Sequence, residues 1–165
     1  MNISNLSRKY EVREIKEEEI LAVYDLCCEN PQYYHYCPPE VTMESIKFDM
    51  TALPPGKEKE DKYYIGFWDK GELVAVMDLI TGYPNEDTVY IGFFMMNAGL
   101  QGKGIGTQII EELCKELGNT HKTVQLGYVR NNPQAESFWI KNNFLATGHT
   151  VKTESYEIVE MQRML

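Results

Sequence analysis

The chain has 165 residues, of which 43% are apolar and 25% are charged. This composition is that of an ordinary globular domain, which excludes fibrous and disordered classes and predicts a single domain over residues 1–165. Asp and Glu number 25 against 16 Lys and Arg. The net charge of −9 opposes sequence-independent attraction to phosphate backbones, so we expect no nucleic-acid partner.

Targeting and metal-binding patterns are absent from the sequence. The N-terminal segment has no apolar core of signal-peptide length, and no later stretch approaches the roughly 18 to 20 apolar residues of a membrane span. We therefore expect a cytoplasmic protein that does not bind membranes. Three cysteines and one histidine lie between Cys27 and Cys37, but adjacent cysteines followed by a distant His-x-Cys match no common zinc spacing, so no metal is expected.

Patterns in the first third of the chain predict one strand and two helices. Tyr10–Ile15 alternates as a strand does, and apolar residues then recur at helical spacing over Ile20–Cys27 until Asn30-Pro31 stops the run. Thr42 can cap a second helix, whose apolar stripe covers Met43–Leu53. The segment between the two helices, QYYHYCPP, is interpreted as an aromatic loop.

The middle of the chain predicts strands. Residues 55–62 are polar and charged, which favours an exposed loop over a domain linker because structured patterns resume at once. Tyr63–Trp68 and Leu73–Thr81 flank Asp69-Lys70-Gly71, whose glycine can supply the positive φ of a hairpin turn. The run Thr88–Met96 is apolar nearly throughout, which is typical of a strand covered on both faces.

The last third predicts alternating helices and strands. An amphipathic helix begins near Gly104 and ends at Gly118-Asn119, a pair suited to a left-handed C-cap. Thr123–Val129 is a predicted strand, Pro133–Asn142 a predicted helix and Tyr156–Met164 a final predicted strand.

The order of these elements predicts the fold class. Strands, helices and a hairpin alternate, which favours an α/β or α+β fold with a sheet of mixed direction and helices on both faces. The strand–helix–strand unit from Thr88 to Val129 should contribute at least one parallel pairing.

The clearest chemical pattern is the glycine turn between the strand Thr88–Met96 and the following helix. Gly102, Gly104 and Gly106 lack a Cβ, so the backbone can approach a diphosphate while the first unpaired helix N–H groups bind its oxygens. Lys103 adds a positive charge. The alternative is that these glycines only make a tight connection. The Walker A and Rossmann patterns both fail here, because the residues at their required positions do not match.

Two motifs resemble the GNAT family of N-acetyltransferases. The family's Q/R-x-x-G-x-G/A pattern after the fourth strand is matched by Gln101, Gly104 and Gly106. A second block, VQLGYVRNNPQAESFWIKNNF from Val124 to Phe144, is similar to the family's fifth strand and the aromatic-ending helix that follows it. The order of elements from Tyr10 to Met164 is also compatible with the family fold.

The resemblance implies a mostly antiparallel sheet whose fourth and fifth strands splay apart, with acetyl-CoA in the gap. The acetyl transfer that this predicts needs no metal. The backbone of Phe94, Met95 and Met96 would contact the pantetheine arm and the thioester. Asn132 matches the family asparagine that contacts the coenzyme arm, although an Asn before a Pro is also a good helix N-cap. The pyrophosphate would be held by one continuous segment: Gln101, Gly102, Lys103, Gly104, Ile105, Gly106 and Thr107.

The chain departs from the family at the positions of the acid and the base. Trp139 stands where many members have a tyrosine acid, and because an indole N–H is not a usable acid, we predict that Trp139 positions the coenzyme arm by packing. Tyr128 or Tyr156 could replace that acid, or could simply pack against strands. Tyr90 stands where histone-type members have a glutamate base.

A tyrosine with its ordinary pKa of about 10 is a poor base, so we predict that the amine loses its proton through ordered water or carbonyls, with Tyr90 holding that water. Glu86 and Asp87 lie one turn upstream, in a predicted solvated loop.

The function implied by the resemblance is transfer of an acetyl group from acetyl-CoA to a primary amine by direct attack in a ternary complex. Tyr33–Tyr36 lies where the family covers its acceptor site, and aromatic faces attract cations, so we expect a small-molecule acceptor. The alternative for these aromatic residues is ordinary packing at the rim of the site. Two alternatives stay open: a noncatalytic acyl-CoA-binding module, and an enzyme that acetylates proteins or peptides. A homodimer is compatible with the sequence.

Overall fold

The computed structural model describes the whole chain, residues 1–165. Its helices are α1, Ile20–Cys28; α2, Pro31–Tyr36; α3, Met43–Asp49; α4, Ile105–Leu117; and α5, Pro133–Lys141. Its strands are β1, Glu11–Glu14; β2, Lys62–Asp69; β3, Glu72–Thr81; β4, Thr88–Met96; β5, Thr123–Val129; β6, Leu145–Lys152; and β7, Glu157–Met164.

All seven strands belong to one open sheet, in the order β1-β2-β3-β4-β5-β7-β6. The β4–β5 pair is parallel, and every other neighbouring pair is antiparallel. This confirms the predicted sheet of mixed, mostly antiparallel direction. The parallel pair arises as predicted, because α4 carries the chain from the end of β4 back to the start of β5.

Helices cover both faces of the sheet, as predicted. Alternate residues of β2 belong to two separate core clusters: Ile65 and Phe67 pack with the apolar stripe of α4, while Tyr64 and Trp68 pack with α1 and α3. Since successive side chains of a strand point to opposite faces, the two clusters lie on the two sides of the sheet. Trp139 places α5 on the same side as α4.

Most local predictions hold, and one cap is confirmed in detail. The Thr42 hydroxyl accepts a hydrogen bond from the Ser45 N–H at 3.0 Å, which starts α3 one residue later. Four local predictions were wrong. The aromatic loop contains a helix, α2, which begins at Pro31 because the missing N–H of proline is harmless at the first helical position.

The other three errors concern the end of α3, the C-cap of α4 and the edge strand β6. Helix α3 ends at Asp49, short of Leu53. Gly118 keeps a right-handed conformation with φ of −60°, so it is not a left-handed cap. Strand β6 was not predicted, because most of its side chains are exposed on both faces of a sheet edge and the sequence shows no apolar alternation.

Strands β4 and β5 splay apart, as the resemblance implied. Their ladder joins Thr88–Ile91 to Thr123–Leu126 and ends there. The register of β4 against β3 shifts at the same level, where Gly92 is an extra residue between Ile91 and Phe93. A bulge of this kind bends a strand and redirects it. The splay explains why Phe93 and Phe94 are only half-buried, although the apolar run predicted a strand covered on both faces.

Candidate active site

The gap between β4 and β5 holds a cavity of about 590 Å³, here called the first cavity. Its walls are the diverging strand segments Ile91–Met96 and Leu126–Val129, and its end is closed by the glycine turn before α4. Of the twelve residues predicted to bind the coenzyme, all except Lys103 and Ile105 line this cavity. The structure therefore brings the predicted set together in one place.

Glycines in the turn before α4 serve two purposes. Gly102 and Gly104 adopt positive φ angles of 73° and 80°, which strain any residue with a Cβ. A Cβ on either would meet no atom within 4 Å, so the space beside the turn is open. A Cβ on Gly106 would instead lie 2.7 Å from the Met96 Sδ and 3.1 Å from the Phe138 Cε2, so this glycine allows close packing.

The turn has the geometry of an anion site. Gly104 is the N-cap of α4, and the 13-residue helix presents its unpaired N–H groups and the positive end of its dipole there. Lys103 is exposed, and its Nζ donates to the Gly99 carbonyl at 2.8 Å, so its charge is held beside the turn. The Ile105 side chain packs against the core. These features fit a diphosphate.

A hydrogen-bond network connects the turn to β4 and α1. The Gln101 Nε2 donates to the Asn30 Oδ1 at 2.6 Å. The Asn30 Nδ2 in turn donates to the carbonyl oxygens of Leu26 and Met96, at 2.8 and 3.0 Å. The Gln134 Nε2 donates to the Gln101 Oε1 at 3.2 Å. The role of Asn30 was not predicted from the sequence, where this residue was interpreted only as a helix stop, because it lies 71 positions before Gln101 and no local pattern connects the two.

Asn132 and Trp139 line the first cavity from α5. The Asn132 Oδ1 caps this helix by accepting from the Ala135 N–H at 3.1 Å, so the structural role considered for it is confirmed. Trp139 is 8% exposed and packs against three phenylalanine rings. The centroid of its ring lies 6.1 Å from that of Phe94, 4.9 Å from that of Phe138 and 5.2 Å from that of Phe144.

A second cavity, of about 410 Å³, lies beside the first. The two share lining residues from α2, β4 and β5: Tyr33, Gly92, Phe93, Gly127, Tyr128 and Val129. Tyr33 and Tyr34 of the predicted aromatic stretch line it, and the Tyr33 ring stands edge-on to Phe93 at 5.6 Å. The position where β4 and β5 part is therefore accessible from both cavities.

Tyr90 lines the second cavity and not the first. Its ring packs edge-on against Tyr83 at 5.6 Å. Burial, followed by the negative charge of Glu160, raises the pKa of the Tyr90 phenol, so even less of it is ionised and available as a base at neutral pH than for a free tyrosine. Asp87 is engaged elsewhere, in an exposed ion pair with Lys122 at 2.6 Å.

The two tyrosines considered as replacement acids both line the second cavity. The Tyr128 hydroxyl donates to the Glu136 Oε1 at 3.0 Å, and burial together with this bond raises the pKa of the phenol. Interaction with the Cys37 thiol raises the pKa of Tyr156 to about 12. Both phenols are therefore held protonated, which is the form in which an acid must begin.

A buried ion pair at the second cavity was missed by sequence analysis. The Lys62 Nζ contacts both carboxylate oxygens of Asp78, at 2.8 and 2.9 Å, and the two side chains are 5% and 13% exposed. A Cβ on Gly92 would lie 2.7 Å from the Asp78 Oδ2, so this carboxylate sits against the bulge of β4. Burial, opposed by Lys62, raises the pKa of Asp78.

No group of three or more His, Cys, Asp and Glu side chains converges as a metal site would require. Cys27 and Cys114 are buried, and burial raises the pKa of each thiol to about 11. None of the five helices has the length and apolar character needed to cross a membrane.

The open mixed sheet, the splayed parallel pair and the glycine turn at its mouth define a protein of the GNAT fold class. The sequence profile of the Acetyltransferase (GNAT) family matches residues 20–144, which is more than half of the chain. The chain therefore belongs to that family.

Individual relatives agree with this assignment. The chain is similar to Protein SPT10 of Saccharomyces cerevisiae, at 34% identity over 85 residues; the match covers 49% of this chain and 13% of SPT10. It is similar in fold to an acetyltransferase from Thermus thermophilus, with a TM-score of 0.76, 18% identity, and 95% and 97% of the two chains covered. The structure of the microcin self-immunity acetyltransferase MccE with acetyl-CoA and AMP gives a TM-score of 0.71 at 19% identity, covering 97% and 94%.

Proposed function

We propose that this protein transfers an acetyl group from acetyl-CoA to a primary amine of a small molecule, by direct attack within a ternary complex. The observation that carries the proposal is the meeting of two cavities where β4 and β5 part. The first has an anion-binding turn at its end, and the second has an aromatic wall. Such an arrangement lets two substrates approach one point from opposite sides.

The first cavity is the proposed coenzyme site. The turn from Gly102 to Thr107 would bind the pyrophosphate through backbone N–H groups. Beyond Ile91, the edge of β4 that faces β5 has no sheet partner, so the extended pantetheine arm can bind there as an added strand does. Trp139 and Asn132 would flank that arm, and the β4 backbone near Met96 would donate to the thioester carbonyl.

The second cavity is the proposed acceptor site. A neutral amine attacks the thioester carbon there, the C–N bond forms, and the C–S bond breaks. The thiol of the leaving group has a pKa of roughly 8.5, so it departs as thiolate without strong acid assistance. The amine proton passes to water held at Tyr90, in keeping with the phenol's inability to act as the base itself.

The lining of the second cavity supports a small acceptor over a protein or peptide. A peptide acceptor requires an open groove, whereas α2 places Tyr33 and Tyr34 directly on this cavity. The noncatalytic alternative is favoured by Trp139 and Tyr90 standing where family members have acid and base residues. It predicts coenzyme binding without turnover.

The proposal is tested by a turnover screen. Purified protein and acetyl-CoA are combined with amines, amino acids, polyamines, aminoglycosides and peptides, and release of the coenzyme thiol is followed. We expect turnover of at least one small amine, with acetylation confirmed by product mass. Coenzyme binding measured by calorimetry, with no turnover on any acceptor, would instead establish the noncatalytic module.

A further inference from the structure

The charged residues that line the second cavity are all acidic. They are Glu40, Asp49 and Asp78, and no Lys, Arg or His lines it. Lys62 neutralises Asp78 from behind, but Glu40 and Asp49 form no ion pair within the protein. Two carboxylates of the cavity are therefore not neutralised by an ion pair. Burial raises the pKa of Asp49, and a cation bound beside it would favour the ionised form.

An unused polar group faces the same space. Tyr64 is 6% exposed and lines the second cavity, yet its hydroxyl makes no hydrogen bond within the protein and is not sealed off by protein atoms. Because the Tyr64 side chain is almost wholly buried and its hydroxyl has no protein partner, the hydroxyl can bond with a ligand that occupies this cavity. Burial raises the pKa of the Tyr64 phenol, so it stays neutral and can accept a hydrogen bond from a cation.

These groups lie in an ordered row. Tyr64, Asp78 and Phe93 are directly opposite one another across β2, β3 and β4, so their side chains share one face of the sheet. Asp78, in the middle of the row, lies against Gly92, where the two cavities meet. Asp49 belongs to α3, which packs over that same face, and its charge contributes to the raised pKa of Asp78.

Aromatic rings complete the lining. Six tyrosines line the cavity: Tyr33, Tyr34, Tyr64, Tyr90, Tyr128 and Tyr156. The faces of such rings attract organic cations, and attraction increases when the cation is removed from water. A cavity with these walls and two unpaired carboxylates is suited to a cation, and unsuited to an acidic or neutral acceptor.

We infer that the acceptor is an aliphatic amine that carries a second cationic nitrogen, as an α,ω-diamine does. The reacting amine lies at Gly92, and Asp49 with the Tyr64 hydroxyl binds the second cation. This inference rests on the proposed function, since it takes the second cavity as the acceptor site. The overall charge of −9 also favours the approach of a dication.

The test compares α,ω-diaminoalkanes with n-alkylamines of the same carbon number. Binding of each to the protein–coenzyme A complex is measured by calorimetry, and turnover is measured with acetyl-CoA. A charge-assisted bond to a partly exposed carboxylate is expected to give the best diamine at least about tenfold tighter binding than its monoamine. Asp49→Asn should remove this advantage, weakening the binding of diamines far more than that of monoamines.

Two further variants sharpen the test. Glu44→Gln removes the same charge from an exposed position of the same helix that lines neither cavity, so it should leave the diamine advantage intact. Tyr64→Phe removes a hydroxyl that makes no hydrogen bond in the protein, so it should weaken diamine binding several-fold without lowering the melting temperature.

Different results would contradict the inference and the proposed function. Equal binding of diamines and monoamines, binding of neither, or an equal effect of Asp49→Asn on both would overturn the inference. Turnover of monoamines or peptides without a preference for diamines would also overturn it, while supporting acetyl transfer. A diamine that binds with the expected preference but is never acetylated would support the inference and contradict the proposed function.

Discussion

Replacement of Trp139 by alanine separates a packing role from a chemical one. The side chain is 92% buried, inside an aromatic cluster, and truncations of this kind cost about 3 to 5 kcal/mol. Because Trp139 borders an open cavity, we expect the lower end, about 3 kcal/mol. For a chain of this length, such a loss lowers the melting temperature by roughly 6 to 12 °C.

The same substitution should weaken coenzyme binding. Loss of about 50 Å² of apolar contact at about 25 cal/mol per Å² corresponds to about 1.3 kcal/mol, or nearly tenfold in affinity. Contact that is equal in the ground and transition states changes KM for acetyl-CoA and leaves kcat nearly unchanged. Trp139→Tyr keeps a ring in place and should be tolerated by comparison, with KM close to that of the parent protein.

The assay is steady-state kinetics below the lowest melting temperature, together with thermal unfolding with and without acetyl-CoA. Phe144→Ala is the matched control, because Phe144 is fully buried beside Trp139 and does not line the first cavity. It should lower the melting temperature by a similar amount without raising KM. A thousandfold fall in kcat for Trp139→Ala at unchanged KM would show that Trp139 acts in the transition state, and would refute the packing role.

Three other predictions concern the turn, the ion pair and metals. Gly104→Ala should weaken coenzyme A binding by at least about tenfold in calorimetry, whereas Gly56→Ala, at a φ of +79° with equally open space and remote from the cavity, should only lower stability. Asp78→Ala leaves the buried Lys62 ammonium unpaired and should lower the free energy of unfolding, measured with denaturant, by about 3 to 5 kcal/mol. The double variant Lys62→Met, Asp78→Leu should recover much of that loss. An equal loss in the single and double variants would contradict the pairing. Activity should survive chelators, and stoichiometric zinc in the purified protein would overturn that expectation.

The proposed coenzyme site could be predicted because most of the residues that form it lie close together in the sequence. A strand, a glycine turn and a helix follow one another between Thr88 and Leu117, and each has its own periodicity or conformational demand. Positive φ at Gly102 and Gly104 is a property of single residues, so the sequence reveals it directly. The structure then places ten of the twelve predicted residues on one cavity, although their contacts with a coenzyme stay a prediction.

The features that were missed depend on distant neighbours. Asn30 was interpreted as a helix stop, and its bonds to Met96 and Gln101 join residues 66 and 71 positions apart. Strand β6 carries no apolar alternation because it lies at an edge with both faces largely exposed. Pro31 was interpreted only as a stop, because proline ends one helix and begins another equally well.

The second cavity could not be predicted from the sequence for the same reason. Its walls come from separate elements, α1, α2, α3, β2, β3, β4, β5 and β7, and no spacing in the sequence links Asp49 to Tyr64 or Asp78. The two cavities therefore depend on the sequence in different ways: a continuous backbone turn closes the first, and dispersed side chains form the second. Asp49 and Tyr64 do not line the first cavity, so substitutions there should change the choice of acceptor while the affinity for acetyl-CoA stays the same. A shift in coenzyme affinity for Asp49→Asn would show that the two cavities are coupled through the shared wall of β4, and that acceptor choice and coenzyme binding are not independent in this fold.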